Sequence, residues 1–303
     1  MVGSTEGDKP VVRYVNFKVY DPVYVAIEKG FFEDHGIEVK IVGDVIAGPN
    51  AIQAVSGGSA EAGLSSIPAI INANAAGLPI QGVVDIQTTL EGQALQKWYT
   101  LKGSEIGQFE DIEGSTYAVN IWRSSFHYTS LRAMDAWGVD DSKVDFQLLS
   151  FADQIPALIE EQVDVIGLIP PYQGYLEQEY GDQVEVLWND FDLYGKNHVS
   201  LIFINRVWAK YNQESAEAFV LGISDAIDWI EGNQKEATQI VSDYTGIPAE
   251  AVGEYHFTEH GQVHTEDVAD WLAYLRERGD ITEDWLEVDE IATNKYLESK
   301  LDQ

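Results

Sequence analysis

The feature that most constrains the fold of this chain is an alternation of strand and helix signals that runs once to Ile86 and starts again at Ser115. In the first run, "RYVN" from Arg13 to Asn16 reads as a short strand. Asp21-Pro22 then supplies an N-cap and a proline at the first helical position. Val23, Ala26 and Ile27 fall on one helical face before Lys29-Gly30 closes the helix. "GIEVKIV", Gly36 to Val42, alternates apolar and charged residues as a half-buried strand does. Gly48-Pro49 opens a helix over "NAIQAVSGG", a short strand ends in "AGLSS", a helix runs through Asn72 to Ala76, and "LPIQGVVDI", Leu78 to Ile86, is a buried strand. Repetition of this kind predicts a parallel α/β sheet.

The second run repeats the order: "STYAVN" as strand, "SFHYTSLRAMDAWG" as a helix ended by Gly138, "KVDFQLL" as strand, "ADQIPALIEE" as helix and "VDVIGLI" as strand. At an offset of 104 residues, "NAIQAVSGGSAEAGL" lies over "QIPALIEEQVDVIGL" without a gap, so that Ala51, Val55, Gly63 and Leu64 fall on Ile155, Ile159, Gly167 and Leu168. Any helix followed by a strand shares part of this pattern, but the match predicts two lobes built on one plan. After "VEVLWND" comes "YGKNHVSLIFINRVW", nearly all apolar from Val199 to Ile204, and then mainly helical segments that are expected to pack back on the first lobe. No flexible linker separates the halves, so the crossings between lobes are expected to be extended strands, Leu95 to Lys102 and Lys196 to Ile204. The expected division is 1–95 and 197–303 in lobe 1 and 96–196 in lobe 2.

The chain has 303 residues, with 51 Asp plus Glu against 18 Lys plus Arg and a formal net charge of −33. Self-repulsion at that level destabilises a compact state unless ions screen it. The acids are spread over the whole sequence, which predicts a protein of concentrated salt, from a halophilic archaeon. Such a surface repels nucleic acid and anionic lipid heads, so neither is expected as a partner. Cysteine is absent, which removes disulfides, thiolate metal sites and cysteine nucleophiles together. No apolar run approaches the roughly 20 residues that span a bilayer, and Met1 to Pro10 reads as a short polar tail.

Several stretches carry a resemblance. "YVAIEKGFFEDHGIEVKIV", "AIQAVSGGSAEAGLSS", "ANAAGLPI", "FEDIEGSTYAV" and "ALIEEQVDVIGLIPP" are similar, in order and spacing, to the nitrate/sulfonate/taurine-type solute-binding proteins of ATP-binding cassette importers, the most specific piece being Lys29 to Phe32. The resemblance implies an α/β chain with the type II periplasmic-binding-protein fold: two α/β lobes joined by two hinge strands, closing on a small molecule. It also implies a monomeric receptor outside the cytoplasm, secreted or lipid-anchored, that serves a membrane permease and needs no cofactor. A pyrimidine-synthesising enzyme branch of the same superfamily relies on cysteine-rich and active-site histidine motifs, from which a cysteine-free chain departs. A sensory binding module is a further alternative.

In an open α/β sheet, ligands bind beyond the carboxyl ends of the strands. Four loops have that position: Asn16 to Asp21, Ser65 to Pro68, Asn120 to His127 and Pro170 to Gln173. Ser124 and Ser125 stand where strand gives way to helix, so free N–H groups and hydroxyls there would favour an anion, and Arg123 adds a planar donor. Ser65-Ser66 repeats the design in the first lobe. Capping alone explains either pair equally well. Phe17, Tyr20, Trp122, Phe126 and Tyr172 could line the cleft, Tyr20 and Tyr172 being favoured because a loop position keeps them near solvent. Asp21, Gln87, Asn120 and Pro171 complete the candidate set; Lys18 and His198 read as ordinary surface groups. His256, His260 and His264 have the spacing of a zinc-binding helix face, but Gly261 interrupts the helix and "HFTEH" lacks the glutamate of HExxH, so no metal is expected. Few basic and many aromatic residues point to an organic ligand with one acidic group, among nitrate, alkanesulfonates, taurine, aromatic carboxylates and vitamin precursors.

Overall fold

The first helix shows how local signals become structure. The Asp21 carboxylate accepts from the Val23 N–H, Pro22 takes the first turn, and Gly30 ends the helix at φ 78°, a left-handed conformation that costs glycine little. In the computed structural model, which describes residues 9–45 and 47–301 and only the backbone of Gln87, this helix α1 (Pro22–Lys29) follows strand β1 (Val11–Asn16). The polar tail before Lys9 lies outside the described residues, as does the Gln87 side chain. After α1 come α2 (Phe31–Asp34), β2 (Glu38–Asp44), α3 (Gly48–Ser56), β3 (Ala62–Ser66), α4 (Ile67–Ala75) and β4 (Ile80–Thr89). The second run holds β5 (Lys97–Leu101), β6 (Thr116–Val119), α5 (Ser125–Trp137), β7 (Asp145–Leu148), α6 (Phe151–Ile159), β8 (Ile166–Leu168), α7 (Tyr172–Tyr180) and β9 (Val184–Asn189). The chain returns through α8 (Asp190–Tyr194) and β10 (Asn197–Asn205) to α9 (Arg206–Tyr211), α10 (Gln213–Gly232), α11 (Gln234–Thr245), α12 (Ala249–Val252), α13 (Thr265–Glu277), α14 (Val288–Ile291) and α15 (Glu298–Leu301).

One sheet has the order β2-β1-β3-β10-β4. β1 runs parallel to β2 and β3, while β10 runs antiparallel to both β3 and β4. In the second lobe β5 lies antiparallel between β8 and β9, β6 pairs parallel with β7, and a parallel bridge from Tyr117 to Val165 joins the two groups. The second order is therefore β7-β6-β8-β5-β9, the same plan with β5 in the place of β10. The 104-residue offset carries the start of β3 at Ala62 onto the start of β8 at Ile166, and Asn16 at the end of β1 onto Asn120 after β6. The architecture is the periplasmic-binding-protein fold, and the repeat extends well beyond the matched segment.

Burial explains why these strands read as apolar runs. All five residues of β3 and eight of nine in β10 are buried, as expected for central strands covered on both faces. Lobe 2 is centred on a cross-strand pair, Trp98 and Trp188, whose rings stack at 3.7 Å, with Phe109 and Trp137 edge-on against Trp188. Among the described residues, no helix is long and apolar enough to cross a membrane.

Candidate functional site

The carboxyl ends of β1, β3, β6 and β8 face one another between the lobes, and α3, α4, α5 and α6 start there. Phe17, Gly48, Pro49, Leu64, Ser65 and Ser66 from lobe 1, with Ser200 of β10, meet Asn120, Ser124, Ser125, Phe126, Phe151 and Ile169 of lobe 2 around a single cavity. It leaves the centre of a water molecule about 20 Å³ to move in. Phe17 approaches Phe151 across the gap, ring centres 6.2 Å apart, so the lobes are in contact.

The two serine pairs differ. Ser124 is the N-cap of α5, its hydroxyl accepting from the His127 N–H at 3.3 Å and donating to Asn120 Oδ1 at 2.7 Å. Ser125 accepts from Gln96 Nε2 at 3.0 Å. In lobe 1, Ser66 occupies the N-cap position of α4 but makes no side-chain cap bond, and the Ser65 and Ser66 hydroxyl oxygens are buried without a partner. Ser65 is 1% and Ser66 8% exposed. Unpaired buried hydroxyls cost free energy, so the arrangement suits a ligand that accepts from them. The starts of α3, α4, α5 and α6 bring the positive ends of four helix dipoles to the same space, and no side chain lining it is ionisable.

The cavity thus brings together Phe17, Ser65, Ser66, Asn120, Ser124, Ser125 and Phe126 from the sequence candidates. Others lie elsewhere. Tyr20 is fully buried, stacked on Tyr255 at 4.9 Å and edge-on to Phe257; the expectation that its loop keeps it near solvent fails because the C-terminal segment covers it. Asp21 is consumed as a helix cap and as the acceptor of Tyr14 OH at 2.5 Å. Trp122 is exposed and packs edge-on against His127. Arg123 is exposed at φ 63°, and its backbone N–H donates to His127 Nδ1; burial first, then Arg278 and Arg123, push that histidine down to about 4. Pro171 caps α7 and Tyr172 begins it, its ring 5.7 Å from Phe151 and so one layer behind the cavity wall. Lys18 pairs with Asp44 at 2.8 Å. His198 is not a surface group: it is buried, 2.9 Å from the Asp85 carboxylate, and stacks on His264. His256, in irregular chain, pairs with Glu231, and His260, on a 3-10 turn, pairs with Asp228; the three histidines do not share a helix face. No cluster of three metal-ligating side chains occurs among the described residues.

Gly48, Pro49, Leu64, Phe151, Ile169 and Ser200 were not singled out from the sequence. The internal repeat held the signal for one of them, since Ile169 is the repeat equivalent of Ser65. A Cβ on Gly48 would lie 2.3 Å from Ser65 Oγ and 2.9 Å from its Cα, which explains why glycine begins α3.

Between the lobes, Asp190 pins the two crossings together. Its carboxylate accepts from Thr89 Oγ1 at 2.5 Å and from the Gln96 N–H at 3.0 Å, while its own N–H donates to Gln96 O. Gln96 in turn holds Ser125. Burial pushes the Asp190 carboxyl up to about 7. The folded protein therefore holds a proton there that the unfolded chain releases near pH 4, and stability falls as pH rises from about 4 to about 7. Asp190→Asn is expected to flatten this slope by up to about 1.4 kcal/mol per pH unit, read as denaturant midpoints across that window; an unaltered slope would remove Asp190 as its source.

The chain belongs to the NMT1/THI5-like family, which matches residues 18–237. No curated protein matches the sequence. Among solved structures it is similar to the periplasmic aliphatic sulphonate-binding protein SsuA of Escherichia coli, with 20% identity, a TM-score of 0.75, and 93% of this chain and 92% of that one covered. It is similar to the alkanesulfonate-binding protein SsuA of Xanthomonas axonopodis pv. citri bound to MOPS, with 17% identity, a TM-score of 0.77 and coverage of 95% and 99%. It is also similar to the periplasmic nitrate-binding protein NrtA of Synechocystis PCC 6803, with 13% identity, a TM-score of 0.78 and coverage of 97% and 89%.

Proposed function

We propose that the chain is the solute receptor of an ATP-binding cassette importer, working outside the cytoplasm as a monomer, secreted or lipid-anchored at the outer face of the cell membrane, in a halophilic source. It captures a small organic solute with one anionic end by hinge closure and passes it unchanged to a membrane permease. The observation that carries the reading is the pair of buried, unpartnered hydroxyls on Ser65 and Ser66, set among four helix starts in the interlobe cavity. Neutral donors and helix dipoles bind an oxyanion without a salt bridge, and Phe17, Phe126 and Phe151 offer an apolar wall for its body. The lining carries no ionisable side chain that could act as general acid or base or activate one of its serines, which favours capture over chemistry on the solute. The net charge of −33 supports the saline setting. The test is titration calorimetry in high salt with a panel of alkanesulfonates, taurine, nitrate and aromatic carboxylates, alongside native mass spectrometry of the protein as purified. Binding of a monovalent organic anion that also raises Tm is the expected result, and no heat with any member would sink it.

A further inference from the structure

Beside the cavity, α5 of lobe 2 meets α13 of lobe 1. Arg132 on α5 makes a two-point contact with Asp270 on α13, at 2.6 and 3.1 Å, and its guanidinium lies 5.0 Å from the Tyr194 ring, 5.7 Å from Trp271 and 5.0 Å from Tyr274. The exchange is returned from the other side. Arg278, just after α13, reaches Asp135 of α5 at 3.0 Å and Asp141 at 3.7 Å, and Tyr274 OH donates to Asp135 at 3.2 Å. Each lobe thus offers one arginine to acids of the other, in a chain with 18 basic residues against 51 acids.

We propose that this seam is a latch that exists only while the lobes are together and that holds the closed form without solute. Two acidic lobes repel, and repulsion favours opening. The reciprocal arginines oppose that repulsion along the seam of α5 and α13, beside the apolar cluster that Tyr128 and Leu131 share with Trp271 and Leu272. A planar guanidinium paired at two points and enclosed by rings keeps attraction that salt does not fully screen, which suits a protein built for concentrated salt. Surface ion pairs alone contribute little, so the aromatic enclosure of Arg132 carries most of the effect. A population shift toward the closed form raises apparent affinity in proportion. That consequence rests on the solute-binding reading, whereas the latch itself is read in solute-free protein.

The chain has no cysteine, so Ser59→Cys and Glu160→Cys, both exposed and one in each lobe, can be spin-labelled cleanly. Pulsed electron resonance would then give the interlobe distance without any ligand. Arg132→Leu with Arg278→Leu is expected to raise the ratio of open to closed molecules about tenfold. Asp270→Asn should shift it the same way, and combining Asp270→Asn with Arg132→Leu should add less than the sum of the two. Arg132→Lys, which keeps the charge but loses the two-point fit and folds even if the double variant does not, should fall between. Unchanged distances in Arg132→Lys and Asp270→Asn, with native circular dichroism, would overturn the latch. A shifted distance in a protein that binds none of the anion panel would leave the latch standing and remove the receptor reading.

Discussion

Gly174→Ala is expected to hold the two lobes apart. Gly174 lies on α7 of lobe 2, and a Cβ there would stand 1.9 Å from the Ala251 carbonyl oxygen and 2.9 Å from its carbon, on α12 of lobe 1. Backbone cannot swing aside as a side-chain tip can. The two helices belong to different sheets, so relief comes most cheaply by opening the seam between them. Overpacking costs about 1–3 kcal/mol, which taken from the closed state alone lowers affinity roughly 5- to 150-fold. Calorimetry with a bound anion and the radius of gyration by X-ray scattering would measure it. A variant with unaltered affinity and radius would show that α12 yields locally and that this contact does not govern closure.

Ser65→Ala and Ser66→Ala are expected to separate function from stability. Each hydroxyl is buried with no protein partner, so removing it should leave Tm unchanged or raise it. If the hydroxyls donate to an anion, each replacement loses a hydrogen bond to a charged group, about 1.5–3 kcal/mol, or roughly 10- to 150-fold in affinity. Thermal melts and titrations on the same preparations would show affinity falling while Tm does not. A lowered Tm with unchanged affinity would instead make the pair structural.

Much of the fold was legible because its signals are local. Asp21 caps, Gly30 and Gly138 end helices in left-handed conformations, and the strand-helix alternation needs no knowledge of distant contacts. The repeat was legible in part: the matched helix and strand are α3 with β3 and α6 with β8. The site was harder. Ser124 and Ser66 look alike in sequence and share an extended backbone, yet Ser124 caps its helix and Ser66 does not; Pro68 removes one of the N–H groups within reach of Ser66. Tyr20 and Arg123 both sit in loops at the right end of the sheet. Tyr20 is covered by Tyr255 and Phe257, far away in the chain, and Arg123 turns outward because its left-handed backbone commits the N–H to His127. Phe151 and Gly48 carry no chemistry of their own; they matter through where a helix begins and how closely its backbone approaches Ser65.

The exchange of the middle strands fixes an order of completion. Lobe 2 is made in one continuous stretch, from β5 to β9, and has all its strands as soon as that stretch exists. The first lobe does not: its sheet has a gap between β3 and β4 that only β10 fills. β4 ends at Thr89 and β10 begins at Asn197, so on the ribosome the half that is made first is finished last, and its exposed strand edges wait for the tail of the chain.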